Sequence, residues 1–135
     1  MSIKDYYQGF SDEQIEAYRN EARKRWGVKT VEESEKRVLK MGKEEFARLQ
    51  AEGGKVFQAL ADNMSQGPQS PAVQQLIGEW REWLENFAHY SDEAVLGLGQ
   101  AYSQDKRFAA FFEKYDKGLP VFFTKAVEFY AAHHK

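Results

Sequence analysis

The sequence predicts an all-helical bundle of about seven helices, and three observations carry that expectation. Apolar residues recur at three- and four-residue spacing over most of the chain. No segment alternates apolar and polar residues over the length of a strand. Serine, threonine or aspartate stands where most of the periodic stretches begin, as helix N-termini favour. There is also no internal repeat with a period of about 20 to 50 residues, which sets solenoids and propellers aside.

Ser11-Asp-Glu-Gln14 has the form of a capping box, and the helix that it opens should run to about Trp26, stopped by Gly27. Its apolar stripe is only Ile15, Tyr18, Ala22 and Trp26. Thr30-Val-Glu-Glu33 reads as a second capping box. The helix after it pairs Glu32 with Lys36 and Glu33 with Arg37, but offers only Val31, Val38, Leu39 and Met41 to a core. From residue 43 the pattern broadens into a long core helix carrying Phe46, Leu49, Val56, Phe57, Leu60 and Met64. The Gly53-Gly54 pair in its middle costs about 1 kcal/mol per glycine relative to alanine, so it marks a bend or a close approach by another element. After the loop Ser65–Gln69, Ser70 caps a helix whose first residue is Pro71. Val73, Leu76, Ile77, Trp80, Trp83, Leu84 and Phe87 give that helix the widest apolar stripe in the sequence. Ser91-Asp-Glu opens a shorter helix with Leu98 and Tyr102 facing inward, and Asp105 caps another bearing Phe108, Phe111, Phe112 and Tyr115. Gly118 precedes the last helix, with Leu119, Phe122, Phe123, Ala126, Val127 and Tyr130; Pro120 is tolerated there because it falls in the first turn. Residues 1–42, with their narrow stripes, read as an appendage that docks weakly, and residues 43–135 as a helical core, the whole forming one domain.

Composition narrows the function. A chain of 135 residues supports one core, burying roughly two thirds of the surface exposed when unfolded. Charged residues make up 30% and are well mixed, with a net charge of -2, which argues against a nucleic-acid footprint. The absence of cysteine excludes a disulfide framework, a zinc-thiolate site and a thiol nucleophile, and points to the cytoplasm. No signal-peptide stretch opens the sequence and no window approaches the ~20 apolar residues of a membrane helix, so neither export nor a membrane partner is expected. There is no Gly-rich phosphate loop, no His-Glu-x-x-His, no Glu-x-x-His and no Gly-x-Ser-x-Gly elbow, so the chain does not read as an enzyme, and no cofactor or metal is expected. His89 has the position of a haem ligand in a globin-type reading, but a lone histidine at a helix end is more often a capping or surface group. His133 and His134 belong to a frayed terminus. Arg23-Lys-Arg25 reads as a solvated face, and so do Glu79, Glu82 and Glu85, although carboxylates beside Trp80 and Trp83 would also suit a cation.

The aromatic content is the functional clue: 10 Phe, 7 Tyr and 3 Trp exceed what a core of this size needs. More than half are expected to be core. Trp80, Trp83, Phe87, Tyr90, Tyr102, Phe108, Phe112, Tyr115 and Phe122 nevertheless come from four consecutive helices, and several carry polar handles; with Phe57 from the long helix they are candidates to line a pocket for a bulky ligand.

Glu21-Ala-Arg-Lys-Arg-Trp-Gly27, Lys43-Glu-Glu-Phe46, Leu98-Gly-Gln-Ala-Tyr102, Arg107-Phe108 and Lys117-Gly-Leu119 fall in the order and at the approximate spacings of the TipAS-type antibiotic-binding domain, which the chain resembles from about Phe10 to Tyr130. That domain is the drug-sensing half of certain MerR-type transcriptional activators. The resemblance implies a globin-like fold without haem, in which a cleft encloses thiopeptides or other large, flat antibiotics and the N-terminal helices form a mobile lid. It assigns Trp26 to the lid, and Leu98, Tyr102 and Phe108 to the cleft. Some members of the family trap thiopeptides through a cysteine in the stretch that here reads Tyr90-Ser-Asp-Glu-Ala-Val-Leu-Gly97; without one, covalent capture is excluded. These 135 residues hold no helix-turn-helix and no long coiled-coil linker, so the expected partner is a small molecule, for sensing as the effector part of a longer gene product or for sequestration by a free-standing protein, with no direct nucleic-acid contact. Two alternatives stand beside this reading. A ligand-regulated protein-interaction module is separated from it by a pull-down with and without drug, and a globin-type haem protein by a visible spectrum.

Overall fold

Ser11 accepts a hydrogen bond from Gln14 N–H (3.1 Å) while the Gln14 side chain accepts from Ser11 N–H (2.9 Å), and this reciprocal cap starts the first helix of the computed structural model, which describes residues 11–133. Among the described residues there are α-helices, turns and no strand. The helices are α1 (Asp12–Trp26), α2 (Val28–Asp62), α3 (Pro71–Leu84), α4 (Asp92–Gln104), α5 (Lys106–Glu113) and α6 (Leu119–His133), with a 3-10 turn at Met64–Gln66 after α2. Gly42, at φ 81° and ψ 170°, breaks α2 into two straight segments.

Local chemistry explains most boundaries. Ser70 accepts from Val73 N–H, Ser91 from Ala94 N–H and Asp105 from Arg107 N–H, each within 3.3 Å, so three side chains satisfy free helix N-termini. Three boundaries differ from expectation. Thr30 is not a cap: Gly27 closes α1 by donating to the Arg23 carbonyl, and its own carbonyl then accepts from Val31 N–H (3.2 Å). Its φ of 92° lets it end one helix and begin the next with no linker, so Thr30 falls inside α2. Likewise α3 stops at Leu84, whose carbonyl accepts from both Phe87 and Ala88 N–H, and Phe87 lies beyond the helix. Met64 sits in the 3-10 turn and not in α2. His133 closes α6 stacked on Phe129 at 4.0 Å and is not frayed; His134 lies outside the described residues.

The chain divides into two units. The first extends through Gln50 and takes in Leu84–Tyr90. Its buried residues are Ile15 and Ala22 of α1, Val31, Glu35, Val38 and Leu49 of α2, and Leu84, Phe87 and Ala88. Glu35 thus occupies a core position, where the Arg19 side chain meets it with Nε 2.9 Å from Oε2 and a hydrogen bond to Oε1 (3.3 Å). Phe87 packs edge-on to Phe46 at 6.5 Å, and Arg37 ties the 84–90 turn down by donating to the Glu85 carbonyl.

The second unit comprises Ala51–Trp83 and the chain from Ser91 onward. Its interior holds Trp80, Phe123, Leu60, Ile77, Leu119, Val73, Val95 and Val127, all less than 2% exposed. Burying each side chain of this kind stabilises the fold by about 1.5 to 3 kcal/mol. α4 and α6 approach so closely that a Cβ on Gly99 would stand 2.6 Å from Val127. At that crossing the Thr124 hydroxyl donates to the Gly99 carbonyl (2.6 Å) and lies 2.7 Å from the Ser103 hydroxyl. Gln74 uses both protons of its amide, one to Pro68 O (2.8 Å) and one to Ala126 O (3.0 Å). The Gly53-Gly54 pair marks close approach: the backbone there stays helical, the Trp83 ring lies where a Cβ on Gly53 would fall (2.7 Å), and Tyr115 Oη lies 3.3 Å from one on Gly54.

Candidate ligand-binding site

In the second unit five helices bring aromatic rings into one cluster. Phe57 of α2 is its hub, with ring centroids at 4.8 Å to Phe112, 6.0 Å to Tyr115 and Phe123, and 6.1 Å to Trp83 and Phe111. Tyr102 of α4 is a second hub, 4.5 Å from Phe112, 5.2 Å from Phe123, 5.5 Å from Phe108 and 6.0 Å from Trp80. Trp80 stands perpendicular to Phe123 at 4.9 Å. Gly53 makes the Trp83 contact possible, because a Cβ there would stand 2.7 Å from the Trp83 ring, whereas at Gly54 a Cβ would meet only the Tyr115 hydroxyl at 3.3 Å.

Seven of the residues singled out in the sequence therefore share this cluster: Phe57, Trp80, Trp83, Tyr102, Phe108, Phe112 and Tyr115. Leu98 is buried one turn before Tyr102 on α4, and Phe122 is buried on α6. The ring that joins the cluster from α6 is Phe123, which sequence reasoning left out; its spacing from Leu119 and Val127, both fully buried, was the available signal. Phe111 was left out too, and it bridges the cluster to the surface at 44% exposed, with the Lys114 ammonium 4.0 Å from its ring centroid. Trp83, Phe108 and Tyr115 are half-buried, so the cluster grades from a closed interior at Trp80 to an open rim.

Trp26, Phe87 and Tyr90 belong to the first unit. Trp26 ends α1 half-buried, with the Arg25 guanidinium 5.6 Å from its ring centroid. Tyr90 is half-buried, with Ser34 and Glu33 as its electrostatic neighbours. Burial pushes its pKa above the ordinary tyrosine value, the nearby Glu33 charge adds to this, and Ser34 opposes it. The stretch that begins at Tyr90 thus presents a protonated phenol near neutral pH. An open groove of about 360 Å³ along α2 is lined by Lys29, Glu32, Glu33, Lys36, Arg37 and Lys40; its wholly charged walls suit no flat apolar molecule. Among the described residues no three His, Asp or Glu side chains are placed to hold a metal ion, and no helix is long and apolar enough to cross a membrane. His89 is exposed, with Nδ1 3.0 Å from Glu85 Oε1, and Glu79, Glu82 and Glu85 are exposed as well.

Among the described residues two buried side-chain polar atoms make no hydrogen bond: Glu35 Oε2 in the first unit, which is ion-paired with Arg19, and Trp80 Nε1 in the second. Buried polar groups are paired in the great majority of cases, so each of these requires an explanation.

The sequence profile of the TipAS antibiotic-recognition domain matches residues 18–130, and the chain belongs to that family. It is also 29% identical, over 141 residues, to the HTH-type transcriptional activator mta of Bacillus subtilis (strain 168), in an alignment that takes in all of this chain and 54% of that protein. The chain therefore spans about half the length of this curated relative. No solved structure matches it.

Proposed function

We propose that this domain binds bulky, flat, hydrophobic antibiotics without forming a covalent bond, and that in a longer cytoplasmic gene product it reports their presence to a DNA-binding half. The aromatic cluster around Phe57 and Tyr102 carries the reading. Stacked and edge-on rings accept any ligand with a π-face, whereas a hydrogen-bonded pocket demands one structure, so the specificity is broad. Each ring pair in the cluster is worth about 0.5 to 1.5 kcal/mol beyond its buried area, and a ligand that parts two rings replaces that contact with its own. The family supports an antibiotic as ligand, and the relative named as a transcriptional activator supports sensing over sequestration. Trp83, Phe108 and Tyr115 at the rim, with Phe57, Trp80, Tyr102, Phe112 and Phe122 behind them and Leu98 below, form the proposed lining. Trp26, Phe87 and Tyr90, all in the first unit, are proposed as ligand residues on the family resemblance alone, and so is a lid role for residues 11–41.

A thermal-shift screen against an antibiotic panel that includes thiopeptides tests this. At 100-fold excess over its dissociation constant a ligand adds about 2.7 kcal/mol, which a melting curve resolves. Intact mass after denaturation should equal that of the free chain, since the chain has no thiol and a protonated phenol is a poor nucleophile. A panel without a single stabilising compound overturns the function, and a surviving adduct overturns its non-covalent character.

A further inference from the structure

The unpaired Trp80 Nε1 is informative because of where it lies. Trp80 is 0% exposed, so no solvent reaches its N–H, and the indole is surrounded by rings: Phe123 at 4.9 Å and Tyr102 at 6.0 Å. The face of a ring accepts an N–H only as a weak, second-order contact and does not replace a carbonyl oxygen. A tryptophan that serves only as filler sits in a core with its N–H bonded to a backbone carbonyl, and here that bond is missing. Tyr102 touches both Trp80 and, at 5.5 Å, the half-buried Phe108, so the indole is two ring contacts from a partly exposed side chain. A ligand that reaches the indole edge has to displace part of this ring shell, of which Tyr102 and Phe123 are themselves in contact at 5.2 Å.

We propose that Trp80 Nε1–H is the hydrogen-bond donor of the binding site, and that the domain accordingly selects flat aromatic ligands bearing a carbonyl or an equivalent neutral acceptor over plain hydrocarbon surfaces. This rests on the aromatic cluster being the ligand site. The rings supply breadth and a single donor supplies the preference. The free protein carries the unpaired N–H, and the ligand's oxygen pairs it, so that bond forms against no competing water.

Anthraquinone-2-sulfonate and anthracene-2-sulfonate share shape and charge and differ in the two carbonyls, so they isolate the acceptor. The quinone should bind the wild-type protein about tenfold more tightly, equivalent to about 1.4 kcal/mol. In Trp80→Phe, which keeps a ring and lacks the N–H, the two affinities should agree within about twofold. Because that variant leaves a gap and is expected to be less stable, a second readout uses the wild-type protein. Of the three tryptophan indole N–H resonances, that of Trp80 should lie upfield in the free protein and move downfield on saturation with the quinone. Equal affinities in the wild type, whether both compounds bind or neither does, overturn the proposal, and so does binding that leaves the Trp80 resonance in place. Either result leaves the antibiotic screen to decide the broader function, because a panel compound that stabilises the protein without moving this resonance refutes the donor alone.

Discussion

Tyr90 and Gly99 each allow a quantitative test of what a single residue does. Tyr90 keeps its proton in the folded state more firmly than in the unfolded chain, because burial disfavours the phenolate and the Glu33 charge adds to this while Ser34 opposes it. A folded-state pKa raised above the unfolded one contributes stability that is complete below pH 10 and is lost as pH rises through the folded value. Urea unfolding from pH 8 to 11 should therefore show the wild type losing stability above pH 10 faster than Tyr90→Phe. The difference in slope is bounded by about 1.36 kcal/mol per pH unit, and parallel curves would mean that Tyr90 is not protected. At Gly99 two effects compete. Alanine gains about 1 kcal/mol of helix propensity, but its Cβ would meet Cβ and Cγ1 of Val127, atoms too close to the backbone to swing away. α4 and α6 would have to separate, an overpacking cost of about 1 to 3 kcal/mol. Gly99→Ala should lower the melting temperature by several degrees, while Gly54→Ala, which meets only the movable Tyr115 hydroxyl, should be neutral or slightly stabilising. Equal effects at the two sites would refute this account of the crossing.

At the scale of elements, the helices differ in how much holds them. α1 buries only Ile15 and Ala22 over 15 residues, whereas ordering its backbone costs about 1 to 2 kcal/mol per residue. α6 buries Leu119, Pro120, Phe122, Phe123, Ala126 and Val127 over the same length. Limited proteolysis of the free protein should therefore cut within residues 11–41 before it cuts α3 to α6, and a stabilising antibiotic should slow those early cuts. Trp26→Ala should weaken drug binding and leave the melting temperature of the free protein nearly unchanged, because removing a fully buried tryptophan would cost about 3 to 5 kcal/mol and Trp26 is only half-buried. A variant that melts early yet binds normally per folded molecule would make Trp26 a structural residue. Helix starts were legible wherever a side chain makes the cap, as at Ser11, Ser70, Ser91 and Asp105. The end of α3 was not, since no glycine or proline stands after Leu84 and the apolar rhythm continues to Phe87. The stop is made by a turn whose residues pack elsewhere, which is tertiary information.

Across the whole molecule, the order and type of the helices were readable because a period of 3.6 residues repeats over many turns and averages out local ambiguity. The site was readable only in part. Periodicity tells which face of a helix is apolar, but not which face it meets, so Phe122 was chosen over Phe123 and the bridging role of Phe111 was missed. Polar residues in core positions were the least legible, because Glu35 follows a charged run and nothing in its neighbours separates it from a solvated face until Arg19 is seen beside it. The glycine inside α2 carries a different kind of information. At φ 81° and ψ 170°, Gly42 cannot pass the helical hydrogen-bond ladder from one side to the other. What runs from Val28 to Asp62 as one element is, in polymer terms, two short cooperative units in series, as the change of pattern near residue 43 suggests, each with its own nucleus and its own fraying ends. A defect that unwinds residues 28–41 halts at Gly42, and the turns that carry Phe57 retain no memory of it.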